Sequence, residues 1–266
     1  MRYAAEGEIP AILKYLRRHV SDCLYMYIDI AKYGIDPKFL RVWLSGDEAD
    51  PGTVVMKYHT GLSFYCEGDD PDLEGVAALV ESEKPLSITA KKSLLLPLHE
   101  RIADRYNAEY GYVFEFTDYQ PMEPGIPVER AGEEDAMEIA RLVTGDESIG
   151  SYYEIRDLAD QFAERMRTGF GRSYVIREDG KIIAHIASYA EYDGLATTSG
   201  LIVDEDHRSG IYGAYLEKYL VEDLKKDGFT VYTFIEKRLR KKLLERMGNR
   251  CVGEYGKLTR RSEETV

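Results

Sequence analysis

The chain alternates between segments in which apolar residues recur at helical spacing and short segments in which they alternate with polar ones. Ile9, Ile12, Leu13, Leu16 and Val20 share one helical face and open a helical region predicted to run to Tyr33. Strands are predicted near Arg41 to Leu44, Val54 to Tyr58 and Leu62 to Cys66, then a helix over Leu73 to Val80, a strand over Leu86 to Thr89, a helix from Ser93 to Tyr106 and a strand from Tyr110 to Phe116. Pro121, Pro124, Gly125 and Pro127 follow, a concentration of breakers that reads as a linker.

A new apolar start at Val128 to Ala131 begins the second half. Met137, Ala140 and Val143 make one helical stripe, and Tyr152, Ile155, Leu158, Phe162 and Met166 make another. Ser173 to Ile176 and Ile182 to Tyr189 flank Glu178-Asp179-Gly180-Lys181, where Asp-Gly supplies the positive φ of a tight hairpin. A strand from Ala196 to Val203 leads through His207 to Gly213 into a helix marked by Tyr212, Leu216, Leu220 and Leu224 and stopped by Gly228. Phe229 to Ile235, Lys237 to Met247 and Cys251 to Leu258 are predicted as strand, helix and strand.

The two halves repeat one order of elements, and at one place they repeat residues. Leu98 to Ile102, Asp104-Arg105 and Glu109-Tyr110-Gly111 align without gaps on Leu243 to Met247, Asn249-Arg250 and Glu254-Tyr255-Gly256. About half of the aligned positions are identical, which points to duplication. The expected fold is therefore α/β (α+β): two units, residues 1–120 and 127–266, each a mixed, mostly antiparallel sheet flanked by helices.

Composition narrows the functional classes. At 266 residues and 44% hydrophobic content, the chain can bury a core in each of two domains. Cys23, Cys66 and Cys251 are too few and too scattered for a disulfide framework, and no Cys/His spacing suggests a metal, so free thiols in a reducing compartment are expected. Glu6 and Glu8 close behind Arg2 do not resemble a signal peptide, and no apolar run approaches the roughly 20 residues that span a bilayer. A cytoplasmic protein without a membrane partner is expected. A formal net charge of -13 argues against nucleic acid, which selects dense Lys/Arg surfaces, and suits a cationic substrate. The same charge also fits an ordinary soluble protein.

The segment Val203-Asp204-Glu205-Asp206-His207-Arg208-Ser209-Gly210-Ile211-Tyr212-Gly213-Ala214 joins a predicted strand to a predicted helix. Free N–H groups at a helix start, with the positive end of the dipole behind them, form an anion site that needs no lysine. Ser209, Gly210 and Gly213 let backbone approach a ligand, and Arg208 adds a positive charge. This segment resembles the cofactor signature of the GNAT acetyltransferases, in which a strand ending in Val is followed by a polar turn and Arg/Gln-x-x-Gly-x-Gly/Ala. Arg208 takes the Arg/Gln position and Gly213 the last Gly, while Ile211 stands where the pattern has its first Gly and Gly210 comes one residue early.

The resemblance implies acetyl-CoA as co-substrate, with no metal. Its pyrophosphate would rest on Arg208, Ser209, Gly210, Ile211, Tyr212, Gly213 and Ala214. Its pantetheine would lie against the main chain of Leu201 and Val203, beside a bulge at Gly200, and the Leu201 N–H would face the thioester oxygen. The family's usual proton-donating Tyr falls on Leu244, its closing Phe on Asn249, and the Glu of some members near Thr197. Glu191, Asp193 and Tyr255 are the substitutes considered for proton transfer. The turn Glu67-Gly68-Asp69-Asp70-Pro71-Asp72 in the first half places carboxylates where the second half has small residues, so the first half is expected to bind no coenzyme A, with Asp72 as a helix cap. The basic stretch Lys237 to Arg250 reads as a solvated face within reach of a 3′-phosphate.

The implied activity is acyl transfer, acetyl first, to a primary amine of a small molecule or peptide. A non-catalytic acyl-CoA-binding regulator is the competing class, and a homodimer stays open.

Overall fold

The computed structural model describes residues 1–261 apart from 48, 118–124, 147–153 and 209–210. By contacts the chain forms two compact units: Met1–Val113 with Ile235–Lys242 and Cys251–Val266, and Phe114–Phe234 with Leu243–Arg250. The elements up to the linker are β1 (Arg2–Tyr3), α1 (Ile9–Arg17), α2 (Val20–Tyr33), β2 (Leu40–Leu44), β3 (Val54–Tyr58), β4 (Gly61–Tyr65), α3 (Leu73–Glu83), β5 (Ser87–Lys91), α4 (Lys92–Ile102) and β6 (Tyr106–Glu115). After it come β7 (Glu129–Arg130), α5 (Ala136–Thr144), α6 (Ile155–Thr168), β8 (Ser173–Glu178), β9 (Lys181–Tyr192), β10 (Leu195–Val203), α7 (Tyr212–Lys226), β11 (Thr230–Ile235), α8 (Arg238–Arg246) and β12 (Arg250–Arg260). The order of elements is the same twice over, as the sequence repeat predicts. The fold class is the expected mixed α/β one.

In the first unit the strands run β1-β2-β3-β4-β5-β12-β6, so the last strand of the chain lies beside β5 and is antiparallel to it. The β4 and β5 strands are parallel, from Gly61 opposite Ser87 to Ser63 opposite Thr89. Phe64, Val76, Ile88, Leu94, Leu98 and Leu258 join one buried cluster. The helical region expected from Ile9 to Tyr33 divides at His19, whose φ of -134° leaves the helical range, and kinks again at Cys23. The helix predicted to reach Tyr106 stops at Ile102, because Arg105 N–H turns back to the Ile102 carbonyl at 3.0 Å and Tyr106 begins the strand. Burial holds Tyr106 there, its phenol donating to the Pro85 carbonyl at 2.8 Å.

The repeated Glu-Tyr-Gly is used reciprocally. A Cβ placed on Gly111 would meet the ring of Tyr255 at 2.5 Å, and one placed on Gly256 would meet the ring of Tyr110 at 2.9 Å. Each glycine is the floor on which the other copy's tyrosine lies.

In the second unit the strands run β11-β10-β9-β8-β7. Asp179 and Gly180, with φ of 48° and 80°, turn β8 into β9, and Asp193 and Gly194, at 49° and 69°, turn β9 into β10. Both are Asp-Gly pairs with two successive positive φ values, the conformation that favours a tight hairpin. Ile139, Val143, Leu158, Phe162, Val175, Ile182 and Ile202 pack between α5, α6 and the sheet. Tyr152, assigned by periodicity to the α6 stripe, lies outside the described residues.

Replacing Gly111 by Ala would bring a Cβ within 2.4 Å of the Ile235 carbonyl oxygen, a backbone atom with little room to yield. We expect Gly111→Ala to lower unfolding free energy by about 1–3 kcal/mol in a denaturant titration. A variant of unchanged midpoint would show that this close packing is absent.

Candidate functional site

The site grows out of a fork in the second unit. The parallel pairing of β10 with β11 begins at Leu195 opposite Thr230 and ends at Thr198 opposite Thr233. On its other edge β10 pairs with β9, but the register slips between Ser199, opposite Ala187, and Ile202, opposite His185. Gly200 occupies the slip with a φ of +63°, a region that side-chain-bearing residues enter only with strain. The bulge expected at Gly200 is present. Past Thr198, Leu201 and Val203 continue along an edge that β11 no longer covers.

His185 lies under the bulge. It is fully buried, with Nδ1 at 3.0 Å from the Gly200 carbonyl and Nε2 at 3.3 Å from Ser173 Oγ. Burial pushes its pKa down to about 4, so the ring is neutral at physiological pH. Sequence reading passed over this residue. Its signal was a lone imidazole in the apolar run Ile182-Ile183-Ala184-His185-Ile186, since a polar side chain at an inward strand position needs partners.

Beyond β10 a short turn, Glu205–His207, leads to α7. Ile211 caps α7 without a side-chain hydrogen bond, and no acidic residue stands in the helix's first turn. Tyr212, Gly213 and Ala214 form that turn, and among the described residues the nearest atoms to a Cβ at Gly213 would be side-chain atoms of Val203 at 3.5 Å and Leu201 at 3.8 Å. Ser209 and Gly210 lie outside the described residues. Arg208 is turned to its own chain, donating through Nε to the Val203 carbonyl at 3.1 Å and through NH2 to Asp146 at 2.7 Å. It shapes the loop, with its charge already paired. His207 holds the same loop to the β8–β9 turn through Glu178 at 2.7 Å, and these contacts raise its pKa; Lys181 reaches Asp204 at 3.2 Å.

The matching place in the first unit is filled with charge. Lys91, at the end of β5, bridges Asp69 in the loop after β4 at 3.4 Å and Asp22 on α2 at 3.9 Å. Ser93 donates to Asp69 at 2.7 Å, and this bond together with Lys91 lowers the Asp69 pKa. Asp72 caps α3, accepting from Gly75 N–H at 2.9 Å, as its sequence context predicted. Glu74 adds a carboxylate in the first turn of α3. This helix start is thus capped by a side chain and acidic, whereas the cap residue of α7 makes no side-chain bond and its first turn holds no acid.

The residues considered for proton transfer do not gather at the fork. Glu191 is buried in an ion pair, taking Arg172 Nε at 2.8 Å, Arg172 NH2 at 2.6 Å and Ser188 Oγ at 2.5 Å. Arg172 also holds Asp223 at 2.5 Å and Asp227 at 2.7 Å, tying α7 to the strand edge. Asp193 is the left-handed residue of the β9–β10 turn, and at about 3.3 Å per strand residue it stands on the order of 25 Å along β10 from Leu201. Tyr255 belongs to the first unit, where burial and the nearby Glu236 and Glu109 raise its pKa. Leu244 is fully buried, and Asn249 is buried with neither amide atom hydrogen-bonded. Thr197 Oγ1 and Ser63 Oγ, third residues of β10 and β4 counted from the first parallel pair, are likewise without a hydrogen-bond partner. The two copies thus carry a hydroxyl at the same point of the fork.

Among the described residues no group of three or more His, Cys, Asp or Glu is placed to hold a metal ion, and no helix is long and apolar enough to cross a membrane.

Residues 136–248 match the acetyltransferase (GNAT) family, and this part of the chain is a GNAT domain. The whole chain is similar in fold to a Drosophila protein, with a TM-score of 0.67, 15% identity and 98% of each chain covered. It is also similar to a GCN5-related N-acetyltransferase from Kribbella flavida, with a TM-score of 0.61, 16% identity, 100% of this chain and 98% of that one covered. A tandem GNAT protein from the clavulanic acid biosynthesis pathway aligns with a TM-score of 0.58 and 11% identity, covering 97% of this chain and 96% of that one. At such identities these likenesses establish the fold, which extends over both halves. No curated protein matches the chain.

Two expectations follow. His185 titrates from 6.5 in the unfolded chain to about 4 in the folded one, so between those values the unfolded state binds more protons. Stability then falls as pH drops from 6.5 toward 4, by up to about 3 kcal/mol, and His185→Phe should flatten that slope in denaturant titrations. An unchanged slope would contradict the buried neutral imidazole. Glu191→Gln leaves Arg172 short of a buried counter-charge and should cost about 3 kcal/mol of stability, read as a lowered Tm, while the folded fraction keeps its ligand binding. Loss of binding at full stability would return Glu191 to the functional site.

Proposed function

We propose that the second unit is an acyl-CoA-dependent N-acyltransferase that moves an acetyl group to a primary amine by direct attack in a ternary complex. The observation that carries this reading is the contrast between two equivalent helix starts, α7 with no acidic residue in its first turn and no side-chain bond from its cap residue beside an open fork, α3 capped by Asp72 and acidic beside a fork bridged by Lys91. A pyrophosphate is a compact dianion, and the N–H groups and positive dipole end at a helix N-terminus stabilise it; carboxylates repel it.

The pantetheine would run along the uncovered edge of β10 at Leu201 and Val203, pairing with main chain as an added strand does. The Leu201 N–H would donate to the thioester oxygen as the amine nitrogen bonds to the carbonyl carbon and the carbon–sulfur bond breaks. The amine must arrive unprotonated, since an alkylammonium with a pKa near 10.4 has no lone pair to offer, and its proton leaves to water. Alignment of the two reactants supplies much of the acceleration. The acceptor is a small-molecule or peptide amine, and the net charge of -13 favours a cationic one. The protein works in the cytoplasm.

One observation favours a second reading, a non-catalytic acyl-CoA-binding regulator: Leu244 is fully buried where the family has a proton-donating tyrosine. Free thiol release from acetyl-CoA over a panel of amines separates the two, because product formation demonstrates catalysis and binding without product favours the regulator.

Calorimetry is expected to give one acetyl-CoA per chain, and two sites per chain would sink the contrast drawn between α7 and α3. Gly213→Glu should weaken binding at least about 100-fold, by setting an anion at the start of α7. The added Cβ meets only ordinary contacts at 3.5 Å, so the variant should fold. Undiminished affinity in that folded variant would make the turn merely structural.

A further inference from the structure

We propose that His185 is a positioning residue that aims the Leu201 N–H into the fork by holding the Gly200 carbonyl on the opposite side of the same peptide plane. The inference rests on the acyl-transfer reading above and adds to it a residue outside the cofactor loop.

The hydrogen-bond partners assign the proton. A carbonyl oxygen only accepts, so the ring nitrogen facing Gly200 at 3.0 Å must be N–H. Nε2 is then the lone-pair nitrogen, and Ser173 Oγ donates to it at 3.3 Å. The ring is gripped at both nitrogens and packs edge-on against Phe162, with centroids 5.2 Å apart at 78°. These contacts come from β8, β10 and α6, packed around a ring carried by β9.

The Gly200–Leu201 peptide is planar and trans, so its C=O and N–H point in opposite directions. His185 stands on β9 and takes the carbonyl to that side, which sends the Leu201 N–H to the side that β11 leaves after Thr198. The clamp is needed because the preceding residue is glycine. A glycine at φ +63° has wide freedom in the rotation that sets the next peptide plane, and nothing in its own side chain limits it. Among the described residues other than its chain neighbours, the side-chain atoms that approach its Cβ direction within 4 Å are those of His185, Cε1 at 3.4 Å and Nδ1 at 3.6 Å. The neutral ring also leaves the developing oxyanion to the N–H alone, without a buried cation to bind the ground-state thioester.

Three substitutions separate the clamp from simple packing. His185→Asn keeps a donor near the position of Nδ1, His185→Gln reaches only toward Ser173, and His185→Phe keeps the ring volume with no donor. Acetyl-CoA affinity by calorimetry, thiol release with an accepted amine, and the Leu201 amide resonance of the ligand-free protein are the readouts. We expect Phe and Gln to lower kcat about 10- to 100-fold with acetyl-CoA affinity held within about twofold, to shift the Leu201 amide, and Asn to restore both. Wild-type kcat and an unmoved Leu201 amide in His185→Phe would overturn the proposal. So would a fall in affinity that tracks the fall in kcat, or Gln performing as well as Asn. If His185→Phe fails to fold, the Asn and Gln pair decides. A wild-type chain that neither binds acetyl-CoA nor releases thiol would refute the acyl-transfer reading instead, and the Leu201 amide would still report whether His185 sets the peptide.

Discussion

Four residue pairs of parallel ladder, Leu195 to Thr198 against Thr230 to Thr233, are the constraint from which the second unit's site follows. Backbone N–H and C=O groups must be paired, so a strand whose neighbour departs midway has an edge that something else must satisfy. The slip at Gly200 deepens the divergence, because the extra residue turns β10 away from its former line. The arrangement of α7 completes the fork: Gly213 sits on the side chains of Val203 and Leu201, so the helix start is carried by the same strand that forms the edge. Helix start and strand edge are thereby fixed relative to one another by one short stretch of chain.

Much of this was readable from residue types. The Asp179-Gly180 pair defines its hairpin because few other residues tolerate two successive positive φ values, and the repeated Glu-Tyr-Gly announced a repeated structure that the order of elements bears out; Asp193 and Gly194 make a second such turn, at a residue considered for proton transfer. Gly200 and Asp72 were legible for the same reason, each being a residue whose local chemistry has few other uses. Side chains that act through distant partners were not legible. Glu191 looked like an exposed carboxylate at a bend, yet Arg172, nineteen positions earlier, claims both its oxygens. His185 looked like part of an apolar strand, and only the register with β10 reveals that it meets the bulge. Arg208 looked free, and the Val203 carbonyl and Asp146 hold it.

The two copies of the fork share a framework and differ in what stands around it. Each has a parallel ladder, four pairs in the second unit and three in the first, with a hydroxyl at the third position, Thr197 in one and Ser63 in the other. What differs is the slip at Gly200, which the unbroken register of β3 with β4 lacks, and the charge placed at the mouth. In the first unit Asp69, Lys91 and Asp22 satisfy one another, and the helix start is answered by Asp72, so the backbone groups that would attract a phosphate are already engaged. Polar groups in a cleft will pair with each other if no ligand is supplied, and once paired they offer a newcomer only the exchange of one set of bonds for another.

The placement of β12 between β5 and β6 has a consequence for how the chain reaches this state. On a ribosome, β5 and β6 emerge well before β12, with the whole intervening second half still to be made. Until β12 arrives, β5 presents an open edge to any strand of similar pattern, and β6 carries the very Glu-Tyr-Gly that β12 will bring. The duplication that built the molecule therefore also built a rival for its last step of assembly. Productive folding requires β6 to leave that place vacant, or to give it up, when the later copy is released.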